Sequence, residues 1–318
     1  MAARALFRIF GAAAAFFAVV VLSFLLMRLA PGGPFDAERP LDPQAAAALR
    51  RVYKLDLPPA EQLWLYFKSL MHGDFGPSLH WRGFSVNELL AHALPISLRL
   101  GAEAMLLALG LGGALGLFGA RAGRGLSARL GAFAVAAVGV VGFAAPAFVI
   151  APLLQLVFGL RLGLLPVGGW TDGGAGPVSW RNQVLPAATL ALPQIAIVAR
   201  LTQAGLRDAF DEPYVRTLRA FGLPRAHIAL RALRAAILPT LSYLGLAAAG
   251  LLTGSVAVET VFGIPGMGRY FVEGALGRDY PLVMGTVVVV AALVIFFNLL
   301  VDLAYGWLDP RVAEGASA

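Results

Sequence analysis

LVMGTVVVVAALVIFFNLLVDLAYGW, Leu282 to Trp307, decides the fold of this chain, and no charge enters it before Asp302. A helix rises 1.5 Å per residue, so about 20 apolar residues cross the ~30 Å hydrocarbon core of a bilayer. A run this long and this apolar reads as a membrane span. Comparable runs lie at about 7–30, 96–120, 130–159, 184–206 and 233–258. The 318 residues are 59% hydrophobic and only 14% charged, with a mean hydropathy of +0.77. No segment shows the regular ~10-residue alternation of a membrane barrel. The expectation is an all-α integral membrane protein with six transmembrane helices.

The first run follows Arg4 and contains Arg8, as a secretory signal would. It is longer than a signal's apolar region, and Pro31-Gly32-Gly33-Pro34 follows with no clean small-x-small site ahead, so it is read as a retained helix. Pro146, Pro186 and Pro193 fall inside runs and mark expected kinks, tolerable where neighbouring helices satisfy the freed carbonyl. The organisation read from these runs is a short N-terminus and first span (1–30), an exported loop (31–95), a five-helix core (96–309) and a tail (310–318).

Charge orients the spans. The net charge of +7 is nearly all Arg and sits between apolar runs, which fits membrane topology rather than nucleic-acid binding. Arg121, Arg124 and Arg129 lie between the second and third runs, and seven arginines from Arg200 to Arg234 lie around the link between the fourth and fifth. The opposite short loops hold only Arg161 and Arg181, and Arg269 and Arg278. Both termini are therefore expected in the cytoplasm, with the long loop exported. Within that loop, Pro58-Pro59 is expected to open a helix after an Ala-rich one, and Leu63, Tyr66, Phe67 and Leu70 share one apolar face suited to packing.

Enzymatic chemistry is missing. The only lysines, Lys54 and Lys68, follow Tyr53 and Phe67, so no Gly-Lys phosphate loop exists. There is no cysteine, and His72, His80, His92 and His227 lack metal-ligand spacing. Arg99 and Glu103 lie four apart in a span and can neutralise each other, either as a packing pair or in a substrate cavity. Asp302 stands alone near the end of the last run, and no set of midplane acids suggests ion coupling. Gly112-x-x-x-Gly116, with Gly139 and Gly142, permits close helix packing.

Between the fourth and fifth runs stands DEPYVRTLRAFGLPRAHIALRALRAAILPT, Asp211 to Thr240, with five arginines and no acid after Glu212. Asp211 or Glu212 can cap a helix whose first turn holds Pro213, and Gly222 with Pro224 ends it after about nine or ten residues. Topology accounts for the arginines but not for a short capped helix. A basic, part-apolar rod suits a groove on a soluble partner.

This segment resembles the cytoplasmic coupling loop of ABC-importer permeases of the dipeptide/oligopeptide family. Arg216, Thr217, Arg219, Ala220, Gly222 and Leu223 match, as does Leu238-Pro239, while Leu218 and Phe221 depart from the usual small residue and Lys. LMRLAPGGPFD, YKLDLPPAEQLWLYFKSLMHGDFGPS, LPISLRLG, PAFVIAPLL and VETVFGIPGMGRYFVEGALGRDYPLVMG resemble the family in order, the last being closest to its B-type oligopeptide subunit. The resemblance implies one of two permease subunits of an ATP-driven peptide importer. It implies a second permease subunit, two ATPase subunits holding ATP and Mg, an extracytoplasmic peptide-binding protein, and no cofactor on this chain. Coupling would fall on a helix at about 212–222, to Pro213, Arg216, Thr217, Arg219, Ala220 and Gly222. Glu259, Phe262, Pro265, Gly266 and Gly268 would form an outer-face loop or gate, the alternative being a plain helical connection. A nickel or glycan-derived cargo, or a stand-alone secondary transporter, are the other readings. The implied location is the inner membrane of a bacterium or archaeon.

Overall fold

The computed structural model describes residues 2–29, 51, 56–81, 83–120, 126–171 and 178–308. Pro31 to Pro34, most of the expected Ala-rich loop helix, Arg121, Arg124 and the tail from Asp309 lie outside the described residues, as does the side chain of Asp302. Those described are helical, with only isolated bridges at Pro77–Ser85 and Thr171–Val178. The helices are α1 (Ala2–Leu29), α2 (Pro59–Met71), α3 (Val86–Gly119), α4 (Leu126–Ala144), α5 (Ala147–Arg161), α6 (Trp180–Asp211), α7 (Pro213–Ala220), α8 (Arg225–Ala236), α9 (Leu238–Phe262), α10 (Met267–Leu276) and α11 (Tyr280–Leu308). Among the described residues four helices are long and apolar enough to cross a membrane, or up to six if each of two bent pairs counts as one span.

Proline explains several differences from the expected boundaries. The second apolar helix begins at Val86 rather than near Ile96, because Pro95 lies within it on an exposed side and costs one backbone bond without ending it. Pro146 behaves otherwise. It disfavours helical geometry at Ala145 and is itself extended (ψ 149°), so the expected kinked third span is two helices, α4 and α5, bent by 105°. Pro186 and Pro193 lie inside the 32-residue α6, which remains one helix. The fifth apolar helix starts at Leu238, with Pro239 in its first turn where no donor is required.

The chain divides into two compact units, Met1–Ser97 with Pro265–Ile295, and Leu98–Ile264 with Phe296–Ala318. In the first unit Val20 and Phe24 of α1 pack with Met284 and Val288 of α11, and the α2 face of Leu63, Tyr66, Phe67 and Leu70 closes over them. That apolar stripe is thus core, as its spacing predicts. A second cluster joins Val86, Leu89, Leu90 and Ala93 to Met267 and Leu282. Phe75 packs against both. Asp279, just ahead of α11, is fully buried. Its carboxylate accepts hydrogen bonds from the Ser78 hydroxyl, from the Leu79 and His80 amides at 3.0 Å each, and from the Leu282 amide at 3.1 Å. One acid therefore caps a helix and holds the preceding loop.

The second unit is built on α6. A β-carbon on Gly112 would lie 2.9 Å from the Ile195 carbonyl oxygen, and one on Gly116 would lie 2.6 Å from the Thr202 β-carbon. Gly142 approaches Ala196 equally closely, at 2.7 Å. Gly112, Gly116 and Gly142 thus lie where α3 and α4 meet α6, whereas a β-carbon on Gly139 would meet only Arg200, at 3.8 Å. Arg99 and Glu103 do pair, at 3.0 Å, on a half-exposed flank. Solvation of such a pair leaves it worth a few tenths of a kcal/mol.

Candidate functional site

Residues 211–240 form an angular run of helices at one end of α6. Pro213 restricts Glu212 to extended geometry (φ −61°, ψ 143°), which ends α6 at Asp211 and starts α7 one residue later. The structure corrects two expectations here. Helix α7 has eight residues, not nine or ten, and Glu212 occupies the cap position without a side-chain hydrogen bond. The Val215 amide, a donor such a cap would satisfy, is instead bonded to the Glu212 backbone carbonyl at 3.1 Å.

The far end of α7 follows the sequence closely. Gly222 is left-handed (φ +72°), its amide donates to the Arg219 carbonyl at 3.0 Å, and the Leu223 amide reaches the Leu218 carbonyl at 3.3 Å. This paired closure satisfies two terminal carbonyls and turns the chain sharply toward α8. Pro224 then offers its carbonyl to the amides of His227 and Ile228 and opens α8.

Packing holds α7 against α6 and α8. Val215 is fully buried, whereas Arg216, Thr217, Arg219 and Ala220 are exposed. Tyr214 and Phe221, seven residues apart and so on one helical face, are 39% and 77% exposed. The Thr217 hydroxyl donates back to the Pro213 carbonyl at 3.3 Å. Beneath, Leu206 and Ala209 of α6 pack with Ala232 and Ala236 of α8 and with Ala120. A β-carbon on Gly205 would sit 2.6 Å from the Ala236 carbonyl oxygen, so the two helices touch backbone to backbone. Gln203 and Arg207 donate to the Gly119 carbonyl at 2.8 and 3.2 Å, tying the end of α3 to the same corner. Val215 is thus the buried residue of α7, beneath an exposed basic and aromatic surface. Val215 was legible only as an apolar residue between polar ones.

The other sequence-predicted residues divide between the two units. Glu259 and Phe262 are buried at the end of α9, where Gly263 is left-handed (φ +65°) and the Gly169 amide donates to the Phe262 carbonyl at 2.7 Å. Gln155 binds the Val167 carbonyl at 2.6 Å and the Val261 carbonyl at 3.3 Å, bracing the same helix end. In the first unit Pro265 and Gly266 lead into α10, Gly268 lies buried in its first turn, and the Met267 amide donates to the Ser97 hydroxyl at 2.8 Å. In α10 the Tyr270 phenol is pushed above its ordinary pKa by burial and by the Glu273 carboxylate. The short helix α10 thus follows the Gly/Pro turn.

Over residues 112–314 the chain matches the family described as the binding-protein-dependent transport system inner membrane component. It belongs to that family. The chain is 41% identical over 297 residues to the oligopeptide transport system permease protein OppB of Escherichia coli (strain K12), covering 93% of this chain and 94% of that one. It is 40% identical over 306 residues to OppB of Haemophilus influenzae, covering 96% and 97%. It is 39% identical over 306 residues to the dipeptide transport system permease protein DppB of Bacillus subtilis, covering 96% of each. As an inner membrane transport component the chain is a multi-pass membrane protein that serves transport rather than a reaction of its own.

Proposed function

We propose that this chain is the transmembrane permease subunit of an ATP-driven importer of oligopeptides or dipeptides. The observation that carries the reading is the likeness, over nearly the whole chain, to permeases of both oligopeptide and dipeptide systems. Six spans cross the membrane with both termini in the cytoplasm, and α7 lies on the cytoplasmic side with the arginines around it. A second permease subunit completes the pathway, and an external binding protein delivers peptide to the outer face. Two ATPase subunits carry ATP and Mg, and this chain needs no cofactor.

In this mechanism α7 is the element that ATPase subunits grip. Exposed Arg216 and Arg219 supply charge, and Tyr214 and Phe221 supply apolar contact, to a groove on the partner. Closure of the ATPases around ATP displaces α7, and Val215 with the α6–α8 contact passes the displacement into α6. Helices that pack backbone to backbone shift as bodies rather than deform, so the motion favours one of two access states. Glu259, Phe262, Pro265, Gly266 and Gly268 act at the outer mouth.

The test is to purify the chain gently from its native membrane and measure ATP hydrolysis with and without peptide and binding protein. Co-purified ATPase subunits whose turnover rises with peptide support the reading. Peptide uptake that proceeds without ATP overturns it.

A further inference from the structure

Proposing a peptide importer leaves open which side chains the peptide meets. In the second unit Gln194 of α6 lies 14 residues beyond Trp180, about 21 Å along the helix and well inside the hydrocarbon depth. The Tyr243 hydroxyl of α9 donates to its carbonyl oxygen at 2.5 Å. That bond orients the amide so that its nitrogen points toward Gly250, lying 3.7 Å from where a β-carbon there would stand. Gly250 is exposed, and among the described residues the Gln194 nitrogen donates to nothing. Amide donors are costly to leave unsatisfied against lipid and are readily satisfied by water.

The surrounding surface agrees. The exposed turns of α9 next to Tyr243 are Ser242, Leu246 and Gly250, which lie one turn apart on one face. Only Leu246 among them is bulky and apolar. Elsewhere in the same unit the exposed residues of α4 and α5 include Phe133, Phe148 and Leu153, side chains suited to acyl chains. Besides those apolar side chains the unit thus exposes the Ser242–Leu246–Gly250 face, interrupted by one leucine, beside an oriented amide.

We propose that Gln194, positioned by Tyr243, and the Ser242–Leu246–Gly250 face of α9 line the water-filled path and hydrogen-bond the backbone carbonyls of the passing peptide. Every peptide offers such carbonyls whatever its side chains, so this contact suits a carrier of varied sequences. Gly250 leaves room for the chain to approach. The inference rests on the peptide-importer reading above.

The sequence contains no cysteine, which makes the test direct. Single cysteines are placed at Ser242, Gly250 and Gln194, and at Phe133 and Leu153 as lipid-face controls, in the fully assembled importer in vesicles. A charged, membrane-impermeant methanethiosulfonate is the probe, read as mass added to this chain. Ser242→Cys and Gly250→Cys should react at least about tenfold faster than the controls, by the discrimination a tenfold rate ratio represents. Transported peptide, with binding protein and ATP, should slow that reaction several-fold. Peptide uptake by Gln194→Cys should fall further once it is modified, a comparison made within one folded protein. Labelling no faster than at Leu153→Cys would place this face against lipid or the second permease and overturn the proposal. Fast labelling that peptide does not slow, with uptake unaffected by modification at 194, would overturn the peptide contact. Uptake by the unmodified importer, measured in parallel, separates either failure from failure of the peptide reading itself.

Discussion

Gly222 permits a test in which backbone geometry and side-chain size give opposite orders. Its φ of +72° is left-handed, and no heavy atom lies within 4 Å of where a β-carbon would stand. A side chain there therefore meets no steric obstacle in this chain, and the cost of substitution is conformational. Alanine in this region costs about 1 kcal/mol, roughly a fivefold loss in the population of the closed helix end. Asparagine tolerates left-handed geometry and should cost less despite its larger side chain. Proline cannot reach this φ and loses the 3.0 Å bond from the residue 222 amide to the Arg219 carbonyl, so about 3 kcal/mol or more is expected. The measurement is peptide uptake and peptide-stimulated ATP hydrolysis by reconstituted importers, normalised to the amount of chain inserted. The expected order of activity is Gly, Asn, Ala, Pro, with Gly222→Pro inserted but inactive. Normal uptake by Gly222→Pro would refute the rigid-lever argument. An asparagine variant worse than alanine would show instead that bulk against the ATPase groove governs this position.

Other positions give independent checks. Asp279→Ala leaves the Ser78 hydroxyl and three amides without their acceptor and should destabilise the first unit by about 3 kcal/mol, seen as a lower thermal midpoint in detergent; a change near 0.5 would mean water replaces the carboxylate freely. Gly116→Ala puts a β-carbon 2.6 Å from that of Thr202 and 2.7 Å from the Ala199 carbonyl oxygen, so helix α6 must shift. A cost of about 1–3 kcal/mol and a lower yield of folded chain are expected, whereas wild-type stability would refute the close contact. Arg99→Gln, by contrast, removes a half-exposed pair and should change stability by less than about 0.5 kcal/mol; a loss of peptide uptake at normal stability would move the pair from packing to the pathway.

Agreement between sequence and structure is best where one residue type has one physical solution. Gly222 ends α7 in left-handed geometry, which a β-carbon opposes, so that stop was legible. Pro58-Pro59 opens α2 for an equally local reason. The Tyr66 face and the glycines of α3 and α4 were legible through spacing, because burial on one side of a helix leaves a periodic trace. Asp279 shows the limit. Its bonds to residues about 200 positions earlier leave no local trace in the sequence.

By itself the sequence determined that this chain is a helical membrane protein, and that a short, glycine-stopped basic helix separates two of its long apolar runs. Those properties follow from hydropathy and from local backbone sterics, which act within a few residues. Only the tertiary structure decided which prolines interrupt a helix. Pro95, Pro186 and Pro193 are carried within helices, whereas Pro146 separates two helices bent by 105°. The loss of one backbone bond is the same at each, and neighbouring packing decides whether the chain continues or turns. It also decided that Val215 anchors α7 and that Tyr243 orients Gln194, because both depend on what another helix brings alongside.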